Sequence, residues 1–410
     1  MIRTAQAVIG AGWGDEGKGL MTDHLCHAAR RAGASVTVIR SNGGAQAGHT
    51  VVTPDGRRHV FHHIGSGSFA GADTHLSRFF VAHPMLLRSE IDALRGQRVD
   101  LAAAGAPTLT IDPDAPVTTP WDTMINQILE MARNQGRHGS CGLGFGETIE
   151  REENGVHLLA RHLRQGDLRS RLEYIRDVWM PRRMGQLGID FPDRDLADAA
   201  QSTGLMRAFL RDCDLFTDAV GLRSDADVAG LPRGATVIFE AAQGLQLDMA
   251  FGAFPFVTRS HTGLRNIALL CADMGIDALQ AHYVTRAYAT RHGAGPLPNE
   301  AQIDGWATVI DPTNAPNEWQ GRLRFAPLQP AAMGALIRQD LAQAGGLHVQ
   351  AGLAVTCMDQ IGATGVVMDD GKATDVPKAG LAVAIAERVG LPLSHISSGP
   401  SRDHVASQPR

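Results

Sequence analysis

The sequence has 410 residues, of which 44% are hydrophobic and 20% charged, and its formal net charge is −5 at pH 7. The acidic balance excludes the broad basic surface that DNA and RNA binding needs, and no apolar run is long enough to span a membrane. The five cysteines form no CxxC pair, which argues against a zinc knuckle or a disulfide framework. We therefore expect a soluble cytoplasmic protein, and its length predicts one large domain with an insertion, or two lobes.

The start of the chain predicts a βαβ unit. Residues 5–9 are a short apolar run closed by Gly10, which is typical of a buried strand, and a glycine-rich turn follows. Residues 17–31 have helical character, and residues 35–40 are β-branched and predict a second strand. Because parallel strands need a crossover connection, this unit predicts an α/β fold with a mainly parallel central sheet flanked by helices.

The rest of the chain alternates between strand candidates and a long helical stretch. Buried strands are predicted at residues 236–240, 282–288 and 353–357. Residues 126–218 are mostly helical in character, and we interpret them as a helical insertion into a single α/β domain that spans residues 1–410. Residues 293–298 and 311–317 are predicted loops because they are rich in Gly, Pro and Asn.

The glycine-rich turn at residues 12–19 has the G-x4-G-K spacing of a phosphate-binding P-loop, in the strand–loop–helix context that this motif requires. Backbone N–H groups and the helix N-terminus attract phosphate oxygens there, and Lys18 adds a positive charge. Gly19 lies where P-loop enzymes have a Ser or Thr that binds Mg²⁺, and Asp15 could supply the missing oxygen. A plain glycine turn with a solvated lysine is the alternative, and it explains neither the spacing nor the context.

The run Gly-Asp-Glu-Gly-Lys-Gly at residues 14–19 resembles the signature of adenylosuccinate synthetases more than that of ordinary P-loop proteins. Further blocks agree with that family in order and roughly in spacing: residues 40–50, 240–244, 254–258, 290–296 and 397–400. The resemblance implies a ligase in which a nucleoside triphosphate, GTP or ATP, phosphorylates the 6-oxo group of a purine nucleoside monophosphate. The amine of L-aspartate then displaces phosphate. It also implies Mg²⁺ and a homodimer.

The resemblance implies a role for each matching residue. Asp15 matches both the base that faces purine N1–H and a Mg²⁺ ligand, and His49 matches the histidine that contacts the transferring phosphoryl group. Lys18 would hold phosphate, and the Gly48 carbonyl would be a second Mg²⁺ ligand. The nucleotide- and phosphate-binding residues implied are Gly14, Glu16, Gly17, Lys18, Gly19, Gly48, Thr50, Asp359, Gly399 and Pro400. Taken singly, Asp15 could be a turn residue and His49 a buried structural histidine.

A second set of residues would bind the two other substrates. Gln243 matches a side-chain amide that reads the purine, and Thr258 matches a hydroxyl on the 5′-phosphate. The residues implied for the purine monophosphate are Gln46, Ser140, Cys141, Gln243, Thr258 and His292. Those implied for the amino acid are Gln320, Arg322 and Arg324. Buried amides and hydroxyls are commonly structural, so Gln243 and Thr258 have that alternative reading.

The sequence departs from the family pattern at positions that are expected to determine substrate specificity. The guanine-reading Lys-x-Asp segment reads Cys-Met-Asp at residues 357–359, so ATP becomes plausible beside GTP. His292 replaces a small apolar residue that faces the ribose, and Gln46 replaces an asparagine at the base end. Residues 319–324 keep two arginines but lose the threonines that contact aspartate.

These departures leave alternatives to the leading interpretation, which has IMP as the acceptor. A viral branch of the family converts dGMP with ATP as donor, and residues 258–265 and 272–275 look closer to that branch. That branch tends to replace the catalytic aspartate by a small hydroxyl residue, so the intact Asp15 favours IMP. A ligase with another amine donor and a nucleotide-binding regulator without ligase activity are two further hypotheses.

Overall fold

In the computed structural model of the protein, the described residues are 4–97, 105–230, 234–301, 303, 305–309, 311, 313–314, 319–369 and 371–408. The strands formed by these residues are β1 (Thr4–Gly10), β2 (Val36–Arg40), β3 (His49–Val52), β4 (Arg58–Phe61), β5 (Asp73–Leu76), β6 (Leu109–Ile111), β7 (Gly221–Leu222), β8 (Thr236–Glu240), β9 (Ala278–Arg286), β10 (Ala289–Arg291), β11 (Arg324–Ala326), β12 (His348–Thr356), β13 (Thr364–Asp369), β14 (Lys372–Pro377), β15 (Leu393–Ser397) and β16 (Val405–Ser407). The α-helices are α1 (Lys18–Arg31), α2 (Pro84–Gly96), α3 (Pro120–Arg133), α4 (Phe145–Glu153), α5 (Leu168–Tyr174), α6 (Met180–Leu187), α7 (Arg194–Gln201), α8 (Thr203–Ala219), α9 (Leu264–Met274), α10 (Pro330–Leu341) and α11 (Lys378–Val389).

The main sheet has ten strands in the order β16-β15-β12-β9-β1-β8-β2-β5-β6-β7 among the described residues. Every neighbouring pair is parallel except β15 and β16, which confirms the predicted mainly parallel α/β fold. The predicted strands at residues 5–9, 35–40, 236–240 and 353–357 correspond to β1, β2, β8 and the end of β12. The strand predicted at residues 282–288 ends earlier, at Arg286. The N–H of Ala287 donates to the carbonyl of Thr356, and the chain then turns into β10, which pairs with β11 outside the sheet.

The central strands are buried on both faces, and for this reason their sequences are continuous apolar runs. On one face, Ala5, Ala7 and Ile9 pack in the core that includes α9, α10 and α11. On the other face, Val8 packs with residues of α1 and β2. Because β1 lies between β9 and β8, the loop that follows it has the ends of several strands on each side.

The helices α2, α3 and α5 to α8 and strands β5 and β6 contribute to a separate core, whose largest fully buried members include Trp121, Trp179 and Phe209. The start of α3 is fixed by a capping box between Thr119 and Asp122, which satisfies amide groups at the helix N-terminus. Asp122 also pairs with the buried Arg151 of α4. The buried Trp121, Ile125 and Ile128 place one face of α3 in this core.

Residues 293–298 form a loop, as predicted. Within the predicted loop at residues 311–317, residues 312 and 315–317 lie outside the described residues. None of the helices in the described part of the chain has the length and apolarity needed to cross a membrane.

Candidate active site

A cavity of about 940 Å³ lies where the parallel strands end. In open α/β sheets, ligands bind outside the carboxyl ends of the strands because loops from both sides meet there. Most of the residues that the sequence singles out line this cavity: Gly14, Asp15, Glu16, Gly17, Lys18, Gly19, Gln46, Gly48, His49, Thr50, Ser140, Cys141, Gln243, Thr258, His292 and Gln320.

The glycine-rich loop between β1 and α1 is held from inside by Glu16. The N–H groups of Gly12 and Gly14 donate to Glu16 Oε1 at 2.6 and 3.1 Å, and Lys18 Nζ donates to Oε2 at 3.0 Å. Gly14 and Gly17 have φ values of 99° and 92°, which only glycine adopts without strain. The Glu16 carboxylate thus compensates the Lys18 charge, and the Gly14 amide binds this carboxylate in the described conformation.

Because Gly19 has no side chain, His49 packs directly against the first turn of α1. A Cβ atom at Gly19 would lie 2.8 Å from the carbonyl oxygen of Thr50 and 3.1 Å from His49 Cβ. Any larger residue would therefore push β3 away from the loop. The close approach of β3 is therefore a steric reason for glycine at position 19.

His49 is buried and oriented by Glu240 at the end of β8. His49 Nδ1 lies 2.7 Å from Glu240 Oε1, while Glu240 Oε2 accepts from Arg40 at 3.5 Å and from the Ser66 N–H at 3.2 Å. Burial lowers the pKa of His49 to about 4, and Arg40 adds to this effect against the pull of Glu240. Burial alone would raise the pKa of Glu240, but the neighbouring His49 and Arg40 outweigh burial and lower this pKa to about 2. At neutral pH a neutral imidazole therefore donates its Nδ1–H to an ionised carboxylate.

Some of the buried polar atoms in the cavity wall have no hydrogen-bond partner among the described residues. They are Gln46 Nε2, His49 Nε2, Gln243 Oε1 and His292 Nε2. Buried polar groups are almost always satisfied, so unpartnered atoms that line one cavity indicate a polar ligand. Gln243 also has a φ of 58°, in the left-handed region that is uncommon for residues other than glycine.

Arg286, at the end of β9, fixes the backbone of Asp15. Its Nε donates to the carbonyl of Asp15, and its guanidinium also pairs with Asp311 at 2.7 Å. Asp311 in turn accepts the N–H groups of Thr313 and Asn314, both at 3.1 Å. The sequence patterns assigned no role to Arg286, nor to Glu240 within the block at residues 240–244, although a charged residue at the end of an apolar strand was the available signal.

Two arginines hold the loop that carries His292. Arg291 donates to the carbonyls of Ala294 and Pro296, each at 3.0 Å. Arg324 donates to the carbonyls of Gly293 and Gly295 at 3.0 and 2.8 Å, and it also pairs with Glu300. Arg324 therefore braces this loop and does not line the cavity in the described conformation.

Several other predicted residues lie outside the cavity lining. Arg322 is exposed, and Asp359 is exposed in the turn after β12. Gly399 and Pro400 follow β15, two strands away from β9 in the sheet. Of the residues predicted to bind the amino acid, Gln320 is the one that lines the cavity, and its Nε2 donates to the Gly139 carbonyl at 3.3 Å.

The donor set suits Mg²⁺ only if a substrate completes it. The Asp15 side chain is 25% exposed, and His292 Nδ1 lies 3.9 Å from Asp15 Oδ2. Gly48 lines the same cavity. In the described part of the chain, no group of three or more His, Cys, Asp or Glu residues could hold a metal ion by itself. One carboxylate and one carbonyl fit the way Mg²⁺ binds beside substrate phosphates.

Comparison with known proteins identifies relatives along most of the chain. The adenylosuccinate synthetase family model matches residues 7–324. The chain is 33% identical over 307 residues to the adenylosuccinate synthetase of Lactobacillus acidophilus, covering 72% of this chain and 65% of that protein. It is 33% identical over 309 residues to that of Myxococcus xanthus, again covering 72% and 65%. The matched part thus spans slightly less than two thirds of these relatives.

Two solved structures share the fold. The fully ligated adenylosuccinate synthetase from Plasmodium falciparum superposes with a TM-score of 0.74 and 17% identity, covering 99% of this chain and 100% of that one. The cyanophage S-2L succinoaminodeoxyadenylate synthetase, bound to dGMP and to dATP as an energy donor, gives a TM-score of 0.63 and 17% identity. That match covers 100% of this chain and 97% of the cyanophage chain.

Proposed function

The chain belongs to the adenylosuccinate synthetase family, whose members are ligases that form carbon–nitrogen bonds, and on this basis we propose the following reaction. The protein couples L-aspartate to C6 of a 6-oxopurine nucleoside monophosphate, with IMP as the leading acceptor. A nucleoside triphosphate is converted to the diphosphate and phosphate. The observation that carries the proposal is one cavity lined by Asp15, Lys18 and His49, in whose wall several polar atoms have no hydrogen-bond partner among the described residues.

In the first step, the γ-phosphoryl group moves to purine O6. The oxygen of a lactam is a poor nucleophile, so a base must remove the N1 proton as the O6–P bond forms and the bond to the leaving diphosphate breaks. The Asp15 carboxylate takes that proton, because it is partly exposed in the cavity while Arg286 fixes its backbone. The Asp15 carboxylate and the Gly48 carbonyl would hold Mg²⁺, which would supply charge neutralisation during phosphoryl transfer.

His49 stabilises the phosphoryl group through its unpartnered Nε2. An anion beside this nitrogen favours the protonated imidazole, so the pKa of His49 would rise from its low value when the triphosphate binds. The ionised Glu240 on the other ring nitrogen then stabilises the imidazolium, and the Nε2–H faces the developing charge. Lys18, whose charge Glu16 balances before binding, lies beside the same phosphates.

In the second step, the amine of aspartate attacks C6 and the C6–O6 bond breaks. Phosphate leaves with the bonding electrons, and the new amine gives up a proton. Gln243 and Gln46 orient the purine through the unpartnered Oε1 and Nε2 atoms. We carry Arg322 and Arg324 forward as the aspartate-binding residues. Because Arg324 is paired with Glu300 and loop carbonyls, its use would require residues 293–295 to rearrange.

A second candidate acceptor is dGMP, with ATP as the donor. The cyanophage protein of the same fold was solved bound to dGMP and dATP, and residues 258–265 look closer to that branch. Cys357 lies where the family has the lysine of its guanine-reading segment, which also favours ATP.

We further propose Mg²⁺ dependence, with Asp359, Gly399 and Pro400 near the triphosphate base. A homodimer is part of the proposal, and the molar mass in solution tests it.

One experiment tests the reaction and its substrates together. The protein is incubated with IMP, GMP or dGMP, with ATP or GTP, and with aspartate and Mg²⁺, and product masses are read. We expect a succinylated purine nucleotide that appears only when all components are present and disappears on chelation. A product with another amino acid but not with aspartate would replace the donor assignment. If no combination gives a ligation product, the alternative of a nucleotide-binding regulator without ligase activity would replace the proposed reaction.

A further inference from the structure

The cations in the cavity wall are already engaged in the described conformation. The lysine and arginine side chains of the described residues that line the cavity are Lys18, Arg133, Arg183, Arg259, Arg286 and Arg291. Each of them is bound to a carboxylate or to backbone carbonyl groups. The acceptor of the proposed reaction carries a 5′-phosphate, whose oxygens bind arginine well. A phosphate that takes a cation from this wall must therefore compete with a partner that is already present.

Three of these cations have other tasks. Arg286 holds the carbonyl of Asp15 and pairs with Asp311 at 2.7 Å. Arg291 donates to three backbone carbonyl groups, at 3.0, 3.0 and 3.2 Å. Lys18 belongs to the glycine-rich loop, where the proposed reaction uses it for the triphosphate. The acceptor phosphate is left with the three arginines on the helical side of the cavity.

Two of those arginines neutralise buried carboxylates. Arg133 pairs with Glu130, which is 1% exposed and also accepts the Gly139 N–H at 3.1 Å. Arg183 pairs at 2.7 Å with Glu147, which is 9% exposed. Moving either arginine would leave a buried carboxylate without its charge partner, and breaking a buried ion pair in this way is strongly unfavourable.

Arg259 has partners that do not depend on it. Its guanidinium pairs with Glu150 and Glu153, both on α4. Glu153 is 54% exposed, so water can solvate its charge, and Glu150 would keep Arg183 at 3.2 Å. Exposed ion pairs contribute little to stability. Arg259 is therefore the arginine on this side of the cavity that leaves its partners at the lowest cost.

The backbone on both sides of Arg259 is fixed beside the residue assigned to the phosphate. The N–H of Thr258 donates to the Leu247 carbonyl at 2.8 Å, and the N–H of Met249 donates to the Ser260 carbonyl at 3.2 Å. Consecutive Cα atoms lie about 3.8 Å apart, and an arginine side chain is longer than this spacing, so it can reach a group bound at the Thr258 hydroxyl. A change of partner requires the side chain to move but not the loop.

From these contacts we infer that Arg259 exchanges its ion pairs with Glu150 and Glu153 for the 5′-phosphate of the acceptor nucleotide. The inference rests on the proposed function and extends it, because it adds a specificity-determining cation beside Thr258. In the free protein this arginine ties residues 258–260 to α4, and the bound nucleotide releases that tie. Arg259 would thus discriminate a nucleoside monophosphate from the nucleoside that lacks the phosphate.

The test compares the affinities of IMP and inosine, which differ only in the phosphate. They are measured by calorimetry at one ionic strength with the wild type and four variants, and dGMP and deoxyguanosine repeat the comparison for the second candidate acceptor. Arg259→Gln removes the charge, Arg259→Lys keeps it, and Glu153→Gln removes the competing exposed partner. Arg194→Gln is the matched control, since the Arg194 side chain is 92% exposed on α7 and lies outside the cavity lining.

We expect Arg259→Gln to weaken IMP binding at least about tenfold, as for lost hydrogen bonds to a charged group, and inosine binding less than about twofold. Arg259→Lys should recover part of the loss, because it keeps the charge but not the bidentate geometry. Glu153→Gln should strengthen IMP binding by about twofold to fivefold, as for relief of an exposed ion pair. Arg194→Gln should behave as the wild type.

A purely structural tie between Arg259 and α4 predicts different results. Equal losses for IMP and inosine in Arg259→Gln, or IMP binding that Glu153→Gln leaves unchanged or weakens, would overturn the inference. Ligation of IMP by the wild type together with either result would leave the proposed function standing. Failure of the wild type to bind IMP and dGMP would instead refute the proposed function, and the inference with it.

Discussion

Asp15 combines a fixed backbone with an accessible carboxylate. Its φ of 59° places it in the left-handed region, which Asp tolerates better than most residues, and Arg286 holds its carbonyl. The side chain itself is 25% exposed to the cavity. A base needs this combination, because the proton acceptor must be positioned and must still reach the substrate.

Replacing Asp15 with Asn should remove the proposed base while keeping the shape of the side chain. We expect kcat to fall by roughly two orders of magnitude or more, as for loss of a general base. Steady-state kinetics with IMP, aspartate and a nucleoside triphosphate measure this effect, and an unchanged unfolding transition is the control. A variant that turns over like the wild type would remove Asp15 from the mechanism.

Under the proposed function Glu240 is a positioning residue, because it would act on substrate through His49. Glu240→Gln keeps the size of the side chain but removes the charge that orients His49 and pairs with the fully buried Arg40. We expect kcat to fall about tenfold to a hundredfold with a smaller change in KM, and stability to drop by roughly 3 kcal/mol because Arg40 loses its charge partner. Kinetics and denaturant unfolding measure the two effects. A change confined to stability would leave Glu240 with a structural role only.

At the scale of elements, the loops at Gly139 and Gly293 form one wall of the cavity. Gly139 has a φ of 75°, and its Cβ position would meet the Ala294 nitrogen at 2.5 Å. Gly275 ends α9 with a φ of 64°, and no atom of the other described residues lies within 4 Å of its Cβ position. The two glycines therefore share the backbone strain of a substitution but differ in the clash.

Gly139→Ala and Gly275→Ala separate these two causes. Both variants should lose about 1 kcal/mol of stability from the positive φ. Gly139→Ala should in addition lose most of its activity, because Ala294 and the loop with His292 must shift. Unfolding curves and kcat/KM measure the pair, and equal activities for the two variants would argue against the wall as part of the site.

Asp340 links α10 to the start of α9 and to β9. It accepts from the Leu264 N–H at 2.8 Å and from the Tyr283 hydroxyl at 2.7 Å. Burial raises the pKa of Asp340 to about 6 from 3.8, and the nearby Asp248 adds to the rise. Between these values the folded chain keeps a proton that the unfolded chain has lost. The contribution of this group is therefore present below about pH 4 and is lost as the pH rises through about 6.

Asp340→Asn should remove that pH dependence. The difference in unfolding free energy between wild type and variant should fall by roughly 3 kcal/mol from pH 4 to pH 7, since one pKa unit corresponds to about 1.4 kcal/mol. Asp23, whose pKa burial also raises to about 6, is present in both proteins and cancels in the difference. Denaturant unfolding at several pH values measures it, and parallel pH profiles would contradict the prediction.

At the scale of the whole molecule, the cavity lies between the sheet and the helical region. Its wall combines residues of the β1–α1 loop with Asn126, Leu129 and Glu130 of α3. A ligand that contacts both parts should stabilise the folded chain as a unit.

The family interpretation drawn from ordered sequence blocks is confirmed by a match over residues 7–324.

Binding of a purine monophosphate should therefore raise stability. A 6-oxopurine nucleoside monophosphate at about 100 times its Kd is expected to add roughly 2.7 kcal/mol to the free energy of unfolding. UMP, a pyrimidine monophosphate of similar charge, is the matched control and should have little effect. Equal stabilisation by both nucleotides would show that only the phosphate is recognised.

The sequence by itself determined the parallel sheet, the loop at residues 12–19 and the family, because strand periodicity and glycine spacing are local properties of the chain. Only the tertiary structure decided that Glu16 holds the loop from inside, that Glu240 orients His49, and that Arg324 braces residues 293–295 instead of lining the cavity. These contacts join residues from different strands and loops, and their geometry depends on the order and register of the sheet. A pattern along one chain carries the chemistry of each side chain, but the neighbours that set its charge and direction are fixed only by folding.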